Sequence, residues 1–225
     1  MKRLISILSM AILPIMAVAQ VQEEKEDTGK TVSSELSALQ TAASLARYGY
    51  ANYSPTALIE AAKIFADTQV QNLDADRESG GEPQESKGAE VSFNPEQLLI
   101  DARKYAGKDK VVLALANKVE KSIKSTSTRG AVGGAKYAED RVYGKSYVQY
   151  QAKFWANELA EVIVIGDGDN DLDLYIYDQN GNLIASDDDY TDQCVCRWIP
   201  AWTGTFTIRI VNRGAIYSNY AIATN

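Results

Sequence analysis

Aspartate is the residue type whose number and spacing suggest chemistry most clearly in this chain. Between Gly166 and Asp192 there are nine aspartates and no lysine, arginine or glutamate. Four of the nine alternate in the stretch GDGDNDLDLYIYDQNGN, which begins at Gly166. Carboxylate oxygens at this density, without nitrogen or sulfur ligands, favour a hard divalent cation such as Ca²⁺. The alternative is that the side chains point into water as the solvated, salt-screened end of a sheet.

The spacing does not match an EF-hand loop. Such a loop has oxygen ligands at its first, third and fifth positions, glycine at the sixth and a carboxylate at the twelfth. Counting from Asp167, the oxygen ligands fall correctly and Asp178 stands at the twelfth position. The sixth position, however, is Leu172, which begins an apolar alternation typical of a strand. The sequence therefore predicts a site that is built on a sheet.

A hairpin turn sets the expected geometry of that site. Asn180-Gly181 is a strong signal for a two-residue turn, and pairing Gln179 with Asn182 across it fixes the register. In this register Asp173 faces Asp188, and like charges that face each other destabilise a sheet unless something neutralises them. We therefore predict a bound Ca²⁺ ion. Its expected ligands are Asp169, Asp171, Asp173, Asp187, Asp188 and Asp189, with Asp167 and Asp192 more distal.

The chain lacks residues that many catalytic mechanisms require. The chain has no histidine, which excludes Ser-His-Asp and Cys-His catalysis, the HExxH helix and the usual zinc ligand sets. Paired carboxylates can hydrolyse a glycoside without histidine. A carboxylate-based secreted hydrolase is therefore the alternative to a non-catalytic binding protein. A carboxylate pair that converges in an apolar pocket outside the acidic stretch would favour the hydrolase.

Cys194 and Cys196 leave three arrangements open. Two cysteines in an exported protein can form a disulfide, but two residues apart on a strand they lie near the outer limit for a bridge. Buried free thiols and a strained bridge fit the spacing equally well. An intermolecular bridge is the third arrangement, since exposure decides whether a thiol reacts.

The first residues have the pattern of a cleaved export signal. Two basic residues precede an apolar run from Leu4 to Ala17, which ends in the small-residue sequence of a cleavage site. The run is short for a membrane span and contains Pro14. We predict a signal peptide at 1–19 and a protein that is released into the periplasm or outside the cell without membrane insertion.

The charge of the chain limits its partners. The formal net charge is −7, and the two charges in the predicted signal peptide are both basic. An acidic chain without a basic stripe is repelled by the phosphates of nucleic acids, and anionic membrane surfaces are disfavoured in the same way. We therefore expect a protein or glycan partner and no nucleic acid.

The spacing of apolar residues, which indicates the helices and strands that position these side chains, changes along the chain. Apolar residues recur at three and four positions as far as Lys124, which is helical spacing, and at every second position after Tyr147, which indicates strands. Ser54-Pro55 and Asn94-Pro95 each match an N-cap followed by proline. The predicted helices span 33–50, 54–72, 94–106 and 109–124. The predicted strands span 147–154, 160–165, 172–177, 204–211 and 217–223.

These periods predict a multidomain α + β protein. Its parts are a disordered lead at 20–32, a small helical domain at 33–124, a glycine-rich linker at 125–136 and an antiparallel β-sandwich at 137–225. The similar helices after Ser54 and Asn94 are either a duplicated hairpin or two helices of one small bundle. The charged insert Asp74–Ser92 is expected to be a mobile loop.

Three tryptophans allow two interpretations. Trp155, Trp198 and Trp202 could form a platform on which a sugar stacks. They could instead pack in the core or at its edges, because each ring buries a large area. In a domain of this size the second arrangement is the more frequent one.

The C-terminal part carries a family resemblance. DLDLYIYDQNGNLIASDDDY from Asp171, WIPAWTGTFTIRI from Trp198 and the closing Asn212-Arg-Gly with Tyr220 resemble the bacterial pre-peptidase C-terminal domain. The resemblance covers roughly Tyr137–Asn225. It implies a jelly-roll-like sandwich that is exported, non-catalytic, usually attached behind a secreted peptidase and sometimes bound to calcium. Here a helical region precedes it instead of a peptidase, so a peptidase accessory factor is a further alternative.

Overall fold

The computed structural model describes residues 33–68, 70–84, 86–126 and 135–225. Its helices are α1 (Ser34–Ala51), α2 (Pro55–Asp67), α3 (Pro95–Ala106) and α4 (Lys110–Thr126). None of these described helices has the length and apolar character needed to cross a membrane. The predicted signal peptide, the lead at 20–32 and most of the predicted linker lie outside the described residues.

Ten strands form two five-stranded sheets. They are β1 (Val70–Asn72), β2 (Asp76–Gln84), β3 (Ala135–Val142), β4 (Gly144–Phe154), β5 (Ala160–Gly166), β6 (Leu172–Tyr177), β7 (Leu183–Asp187), β8 (Gln193–Trp198), β9 (Gly204–Asn212) and β10 (Ser218–Thr224). Sheet A has the order β1-β3-β10-β5-β8, and sheet B has the order β2-β4-β9-β6-β7. The chain crosses between the sheets after almost every strand, as in jelly-roll sandwiches. The predicted α + β class with a β-sandwich is confirmed.

Sheet A is covered on both of its faces. Its inner face packs against sheet B through residues such as Val164 and Ile222. Its other face packs against the helices through residues such as Ile163 and Ala223. Every position of β5 and β10 is therefore buried. This explains why AEVIVIG in β5 is a nearly continuous apolar run and does not alternate with polar residues.

The helices share this core with the sheet. Leu36, Leu58 and Leu98 belong to the same buried cluster as Ile163 of β5, and the described residues fall within one compact unit, Val32–Asn225. The hydrophobic core is therefore continuous across the predicted boundary between the helical domain and the sandwich.

Two local predictions about the helical part are wrong. Helix α2 is predicted to reach residue 72 but ends at Asp67, because the backbone of Thr68 is extended, with φ −75° and ψ 119°, and β1 follows. The insert Asp74–Ser92 contains β2, which pairs with β4 along its length. Strand β2 lies at a sheet edge with nearly all of its side chains exposed. An edge strand of this kind needs no apolar residues, and its polar composition resembled that of a loop.

The predicted helix caps are confirmed. The Ser54 hydroxyl accepts from the N–H of Ala57 at 3.4 Å, and Asn94 Oδ1 accepts from the N–H of Glu96 at 2.9 Å. Proline follows each cap at the first helical position. These short-range contacts fix where α2 and α3 begin on the surface of sheet A.

Candidate functional site

The loops of the sandwich gather into two groups. The acidic end consists of the loops 167–171, 188–192 and 213–217. Hydrogen bonds join these loops: the N–H of Gly168 donates to Asp192 at 2.6 Å, and the N–H of Arg213 donates to the carbonyl of Asp171 at 3.2 Å. The aromatic end consists of the loops 155–159, 178–182 and 199–203. There the N–H of Asn157 donates to the carbonyl of Pro200 at 2.8 Å.

The predicted hairpin register is confirmed, but the pairing stops before it reaches the acidic end. Leu174 pairs with Asp187 and Ile176 with Ala185, as expected. The turn has three residues rather than two, because the N–H of Asp178 donates to the carbonyl of Asn182 and a bulge follows. The ladder ends at Leu174 and Asp187, so Asp173 has no partner at position 188 in it.

Asp173 is neutralised by the protein itself. Its buried carboxylate is bound by the guanidinium of Arg213 and accepts from the hydroxyl of Tyr175 at 3.2 Å. The hydrogen bond to Asp173 raises the pKa of Arg213, so the guanidinium stays charged. Arg213 lies outside the aspartate-rich stretch and supplies the positive charge that the sequence pattern seemed to require from a metal.

Three of the other predicted ligands are held by backbone groups. Asp187 accepts from the N–H of Val195 at 2.7 Å, and Asp189 accepts from the N–H and hydroxyl of Thr191 at 2.9 and 2.7 Å. Asp169 accepts from the N–H of Ala89. These contacts direct the carboxylates to separate places around the acidic end.

The two more distal aspartates are also engaged. Asp167 accepts from the hydroxyl of Ser218 and from the N–H of Asn219, each at 2.7 Å. Asp192 forms an ion pair with Arg47 of α1 at 3.0 Å. Both carboxylates are buried, so they tie the acidic end to β10 and to the helical layer.

Asp171 is the predicted ligand with an unused acceptor. Its buried Oδ1 has no hydrogen-bond partner. Asp188, the remaining predicted ligand, is exposed. Burial raises the pKa of Asp171, and the charges of Asp173, Asp189 and Asp192 raise it further. Across the described ranges, no three acidic, cysteine or histidine side chains are arranged to hold a metal ion. The six predicted ligands therefore do not fit calcium as a set, and the calcium site stays a prediction.

Both cysteines are free and buried. They point from β8 into the space between the sheets, where Cys194 Sγ lies 3.1 Å from the carbonyl of Leu172. Burial raises the pKa of Cys196 to about 12. Of the three arrangements left open by the sequence, buried free thiols is the one observed, and such thiols are unreactive.

The buried carboxylates give no support to the hydrolase alternative. Each is engaged by a donor or cation: Asp167 by Ser218, Asp173 by Arg213, Asp178 by Asn182, Asp192 by Arg47 and Glu161 by Arg197. These contacts are typical of structural acceptors. Whether the protein has catalytic activity stays untested.

The outer face of sheet B is a polar surface with aromatic rings, and we call it the polar face. Along β4, alternate residues are buried against sheet A, and the others remain partly or fully exposed. Its members are Tyr147, Gln149, Gln151, Lys153 and Trp155 along β4 and just beyond it, Thr205, Thr207 and Arg209 on β9, and Tyr175 and Tyr177 on β6. The register places Arg209 between Gln149 and Tyr175. The rings and amides therefore form rows across the sheet.

Hydrogen bonds and ring contacts hold these side chains in place. Arg209 Nη2 donates to Gln149 Oε1 at 3.0 Å, and its guanidinium lies over the rings of Tyr147 and Tyr177 at 4.6 and 5.1 Å. The rings of Tyr175 and Tyr177 are 6.3 Å apart and nearly parallel, at 29°. A groove of about 480 Å³ runs over this face to the loop 178–182. The surface is therefore preorganised for a ligand with both hydroxyl groups and apolar faces.

The aromatic end continues the polar face. Trp155 is 59% exposed, and Lys153 Nζ lies 5.0 Å from the centre of its ring. Trp202 is 37% exposed and stacks on the buried Phe206 at 5.9 Å. Trp198, in contrast, is buried. The interpretation as core or edge packing is therefore right for Trp198 in the core and for Trp202 at its edge, whereas Trp155 lies at the surface; Trp202 also keeps part of its ring exposed.

A sequence signal for the polar face was present but was interpreted only as strand periodicity. The exposed positions of β4 and of the residue that follows it read Tyr, Gln, Gln, Lys and Trp. Solvent-facing positions of a strand can hold any polar residue, so two amides between two large aromatic rings are an informative choice. That helices cover sheet A and leave sheet B open is indicated in the sequence by the apolar run AEVIVIG of β5 alone.

Comparison with known proteins gives little further information. No family model matches the chain, and no curated protein matches it. Similar solved structures include PliG of Aeromonas hydrophila, a periplasmic lysozyme inhibitor of g-type lysozyme. It has a TM-score of 0.33 and 12% identity, over 40% of this chain and 84% of that chain. Another contains the CBM22-1 and GH10 modules of Clostridium thermocellum xylanase 10B, complexed with xylohexaose. Its TM-score is 0.27 and its identity 10%, over 40% of this chain and 21% of that chain. At these scores neither likeness carries an argument about function.

Proposed function

We propose that this protein is an exported, non-catalytic glycan-binding protein whose binding surface is the polar face of sheet B. The observation that carries the proposal is the row of tyrosine rings and amides on an open sheet face, which ends at Trp155 and Trp202. The predicted signal peptide supports the part of the proposal that the protein is exported to the periplasm or outside the cell. The helical layer has a structural part in the proposal, because it covers sheet A and leaves sheet B exposed.

The chemistry of the polar face matches a sugar chain. Pyranose rings have apolar C–H faces that pack on aromatic rings, and hydroxyl groups that both donate and accept hydrogen bonds. A glutamine side chain offers two donors and one acceptor oxygen. The Arg209 guanidinium lies over the rings of Tyr147 and Tyr177, with Gln149 beside it and Gln151 next along β4. Tyrosine and tryptophan supply rigid contact area at little entropic cost. Sites on strands are also held more rigidly than sites on loops.

Other ligands fit this face less well. Nucleic acid is disfavoured by the acidic charge of the chain. A protein partner usually requires an apolar centre within its interface, whereas the middle of the polar face is made of amides and a guanidinium group. A neutral or mildly charged glycan requires neither a basic stripe nor an apolar centre. The resemblance to the pre-peptidase C-terminal domain is compatible with this proposal as an accessory module, and stays untested.

Affinity electrophoresis with soluble polysaccharides, followed by calorimetry with oligosaccharides, tests the proposal. We expect Trp155→Ala and Tyr177→Ala to weaken binding at least tenfold, because each removes one stacking surface. The matched control is Tyr190→Ala, since Tyr190 is 97% exposed but lies at the acidic end. It should bind as the wild type does. The proposal is wrong if no neutral polysaccharide or peptidoglycan fragment binds, or if all three variants bind equally.

A further inference from the structure

A second cleft lies on the helical side of the molecule. It has a volume of about 750 Å³ and is bordered by the C-terminal part of α1, the α1–α2 turn, α3 and the segments 89–91 and 167–169. We call it the tyrosine cleft, because its walls include Tyr48, Tyr50, Tyr53 and Tyr105. None of these residues belongs to the polar face, so the two surfaces can be tested independently.

The rings of the tyrosine cleft form one connected group. Tyr105 contacts Tyr50 and Tyr53 edge to face, with ring centres 6.4 and 5.3 Å apart. The Tyr50 hydroxyl donates to Asp101 at 2.8 Å, which fixes the inner ring. Tyr48 and Tyr53 are largely exposed. The cleft therefore combines a fixed inner wall with two aromatic rings that remain available for contact.

The backbone at Tyr53 is unfavourable for the residue that it carries. Its φ angle is +51°, in the left-handed region where glycine or asparagine is preferred. The residue lies between the end of α1 and the N-cap of α2, and its side chain is 73% exposed. A bulky residue gives no advantage in a turn of this kind unless its ring has another use. Backbone strain of this kind often marks a functional position.

The charges around the tyrosine cleft favour a cation. Glu90, Asp167 and Asp169 contribute to its lining. Asp167 is held by Ser218 and Asn219, and Asp169 accepts from the N–H of Ala89. Glu90 is exposed and pairs with Lys87 at 2.8 Å, and a solvent-exposed pair of this kind contributes little energy, so a basic ligand can replace Lys87. The one guanidinium in the lining, that of Arg47, is paired with Asp192 at 3.0 Å. Aromatic faces attract ammonium and guanidinium groups through the ring quadrupole, and the net charge of −7 adds a long-range attraction. Anionic ligands are disfavoured for the same reason.

We propose that the tyrosine cleft binds lysine or arginine side chains presented by a basic segment of a partner protein. The exposed rings of Tyr48 and Tyr53 contact the cationic head groups, and the exposed carboxylate of Glu90 exchanges Lys87 for one of them. Electrostatic steering makes the association rate fall as salt is added.

Fluorescence anisotropy with a labelled oligolysine peptide and the full chain tests this proposal. We expect binding that weakens as salt rises, and at least tenfold weaker binding of the same peptide with acetylated lysines. Glu90→Gln should weaken binding severalfold. The matched charge control is the double variant Asp188→Asn, Asp189→Asn, which removes two charges from the acidic end, outside the cleft lining, and should change binding less than Glu90→Gln does.

Tyr53→Gly separates a binding role from a structural one. Glycine relieves the left-handed strain, so the melting temperature should stay the same or rise, while affinity for the peptide falls at least tenfold. Tyr48→Ala should also weaken binding. The proposal is overturned if acetylated and unmodified peptides bind alike, or if Tyr53→Gly and Tyr48→Ala bind as the wild type does. The second result would assign the binding to general attraction by the acidic chain.

Discussion

The acidic end and the aromatic end of the sandwich differ in whether their functional side chains are already bound by other groups of the protein. At the acidic end, carboxylates that resemble metal ligands in sequence are occupied by Arg213, Arg47 and backbone N–H groups. At the aromatic end, Trp155 and Trp202 form no recognisable motif but remain exposed beside a groove. A sequence shows which ligand types are present. Whether they remain free for an external ligand depends on contacts between distant parts of the chain.

The helical layer supports the acidic end directly. Arg47 of α1 pairs with Asp192, and the N–H of Ala89 donates to Asp169. Asn219 of β10 donates to the carbonyls of Ala89 and Val91 at 3.1 and 3.2 Å. The helical segment thus supplies donors as well as apolar cover, which is a reason to expect the two parts of the chain to depend on each other.

The largest expected effect comes from removing the helical segment. A chain limited to residues 135–225 loses β1, β2 and the donors to the acidic end, and it exposes the apolar face of sheet A around Ile163 and Ala223. We expect it to aggregate or to fail to fold, because a continuous apolar surface of this kind is unstable in water. Size-exclusion chromatography and circular dichroism would measure this.

A cleavage site introduced within 127–134 of the full chain is the matched control. The two fragments should remain associated after cutting, because the core that holds them together is intact. Release of a folded C-terminal fragment that is monomeric in solution would show instead that the sandwich is an independent domain.

Two tryptophans at the aromatic end are expected to behave oppositely. Trp198 is buried against Phe154 and Phe206, with ring centres 4.8 and 5.6 Å apart, so Trp198→Ala should reduce the free energy of unfolding by about 3–5 kcal/mol. Trp155→Ala should change it by less than about 0.5 kcal/mol. Urea unfolding of both variants gives the comparison. Equal losses would show that Trp155 is a structural residue and would weaken its assignment to the binding surface.

These contrasts also show what could be predicted from the sequence. Helix starts at Ser54 and Asn94 and the hairpin register around Asn180-Gly181 depend on neighbouring residues, and they were predicted correctly. The ion pair between Asp173 and Arg213 joins residues 40 positions apart. No local pattern relates these two positions. The assignment of the aspartates to calcium therefore failed to anticipate an internal cation.

Burial on two faces was visible in the sequence but was not used. The apolar run of β5 is too continuous for a strand with one dry face, and it indicates that the helices pack on sheet A. Strand β10 has no such run, because three of its buried residues, Ser218, Asn219 and Thr224, are polar. Strand β2 gave no such signal, because its side chains face solvent at an edge. The same burial pattern bears on the polar face. Which side of the sandwich is open depends on where the helices lie.

A smaller effect is expected from removing the internal cation of the acidic end. Arg213→Ala leaves the buried carboxylate of Asp173 with the hydroxyl of Tyr175 as its remaining donor. We expect a loss of about 1–3 kcal/mol, less than for a fully buried pair, because Arg213 is partly exposed and water can replace it. The double variant with Asp173→Asn should recover most of this loss. No recovery would mean that Arg213 stabilises the fold through packing and not through charge.

The smallest effect on stability is expected from Asp171→Asn. This variant tests whether the acidic end holds a carboxylate that the protein itself leaves without a partner. Burial and neighbouring carboxylates raise the pKa of Asp171 in the folded protein. A raised carboxyl pKa means that the folded state binds the proton more tightly than the unfolded state, so ionisation lowers stability as the pH rises through the folded pKa. Asp171→Asn should therefore raise the melting temperature slightly at pH 7, and this gain should disappear at a pH below the unfolded pKa.

The same melting experiment tests the predicted calcium site. A site filled at a hundred times its dissociation constant would add about 2.7 kcal/mol, whereas we expect millimolar Ca²⁺ to leave the wild-type melting temperature nearly as it is in chelator. The reason is that Arg213, the Val195 N–H and Thr191 already bind the carboxylates of Asp173, Asp187 and Asp189. Mg²⁺ is the control for general charge screening. A large rise with Ca²⁺ alone, lost in Asp171→Asn, would mean that these carboxylates rearrange around the ion and that the acidic end is a binding site after all.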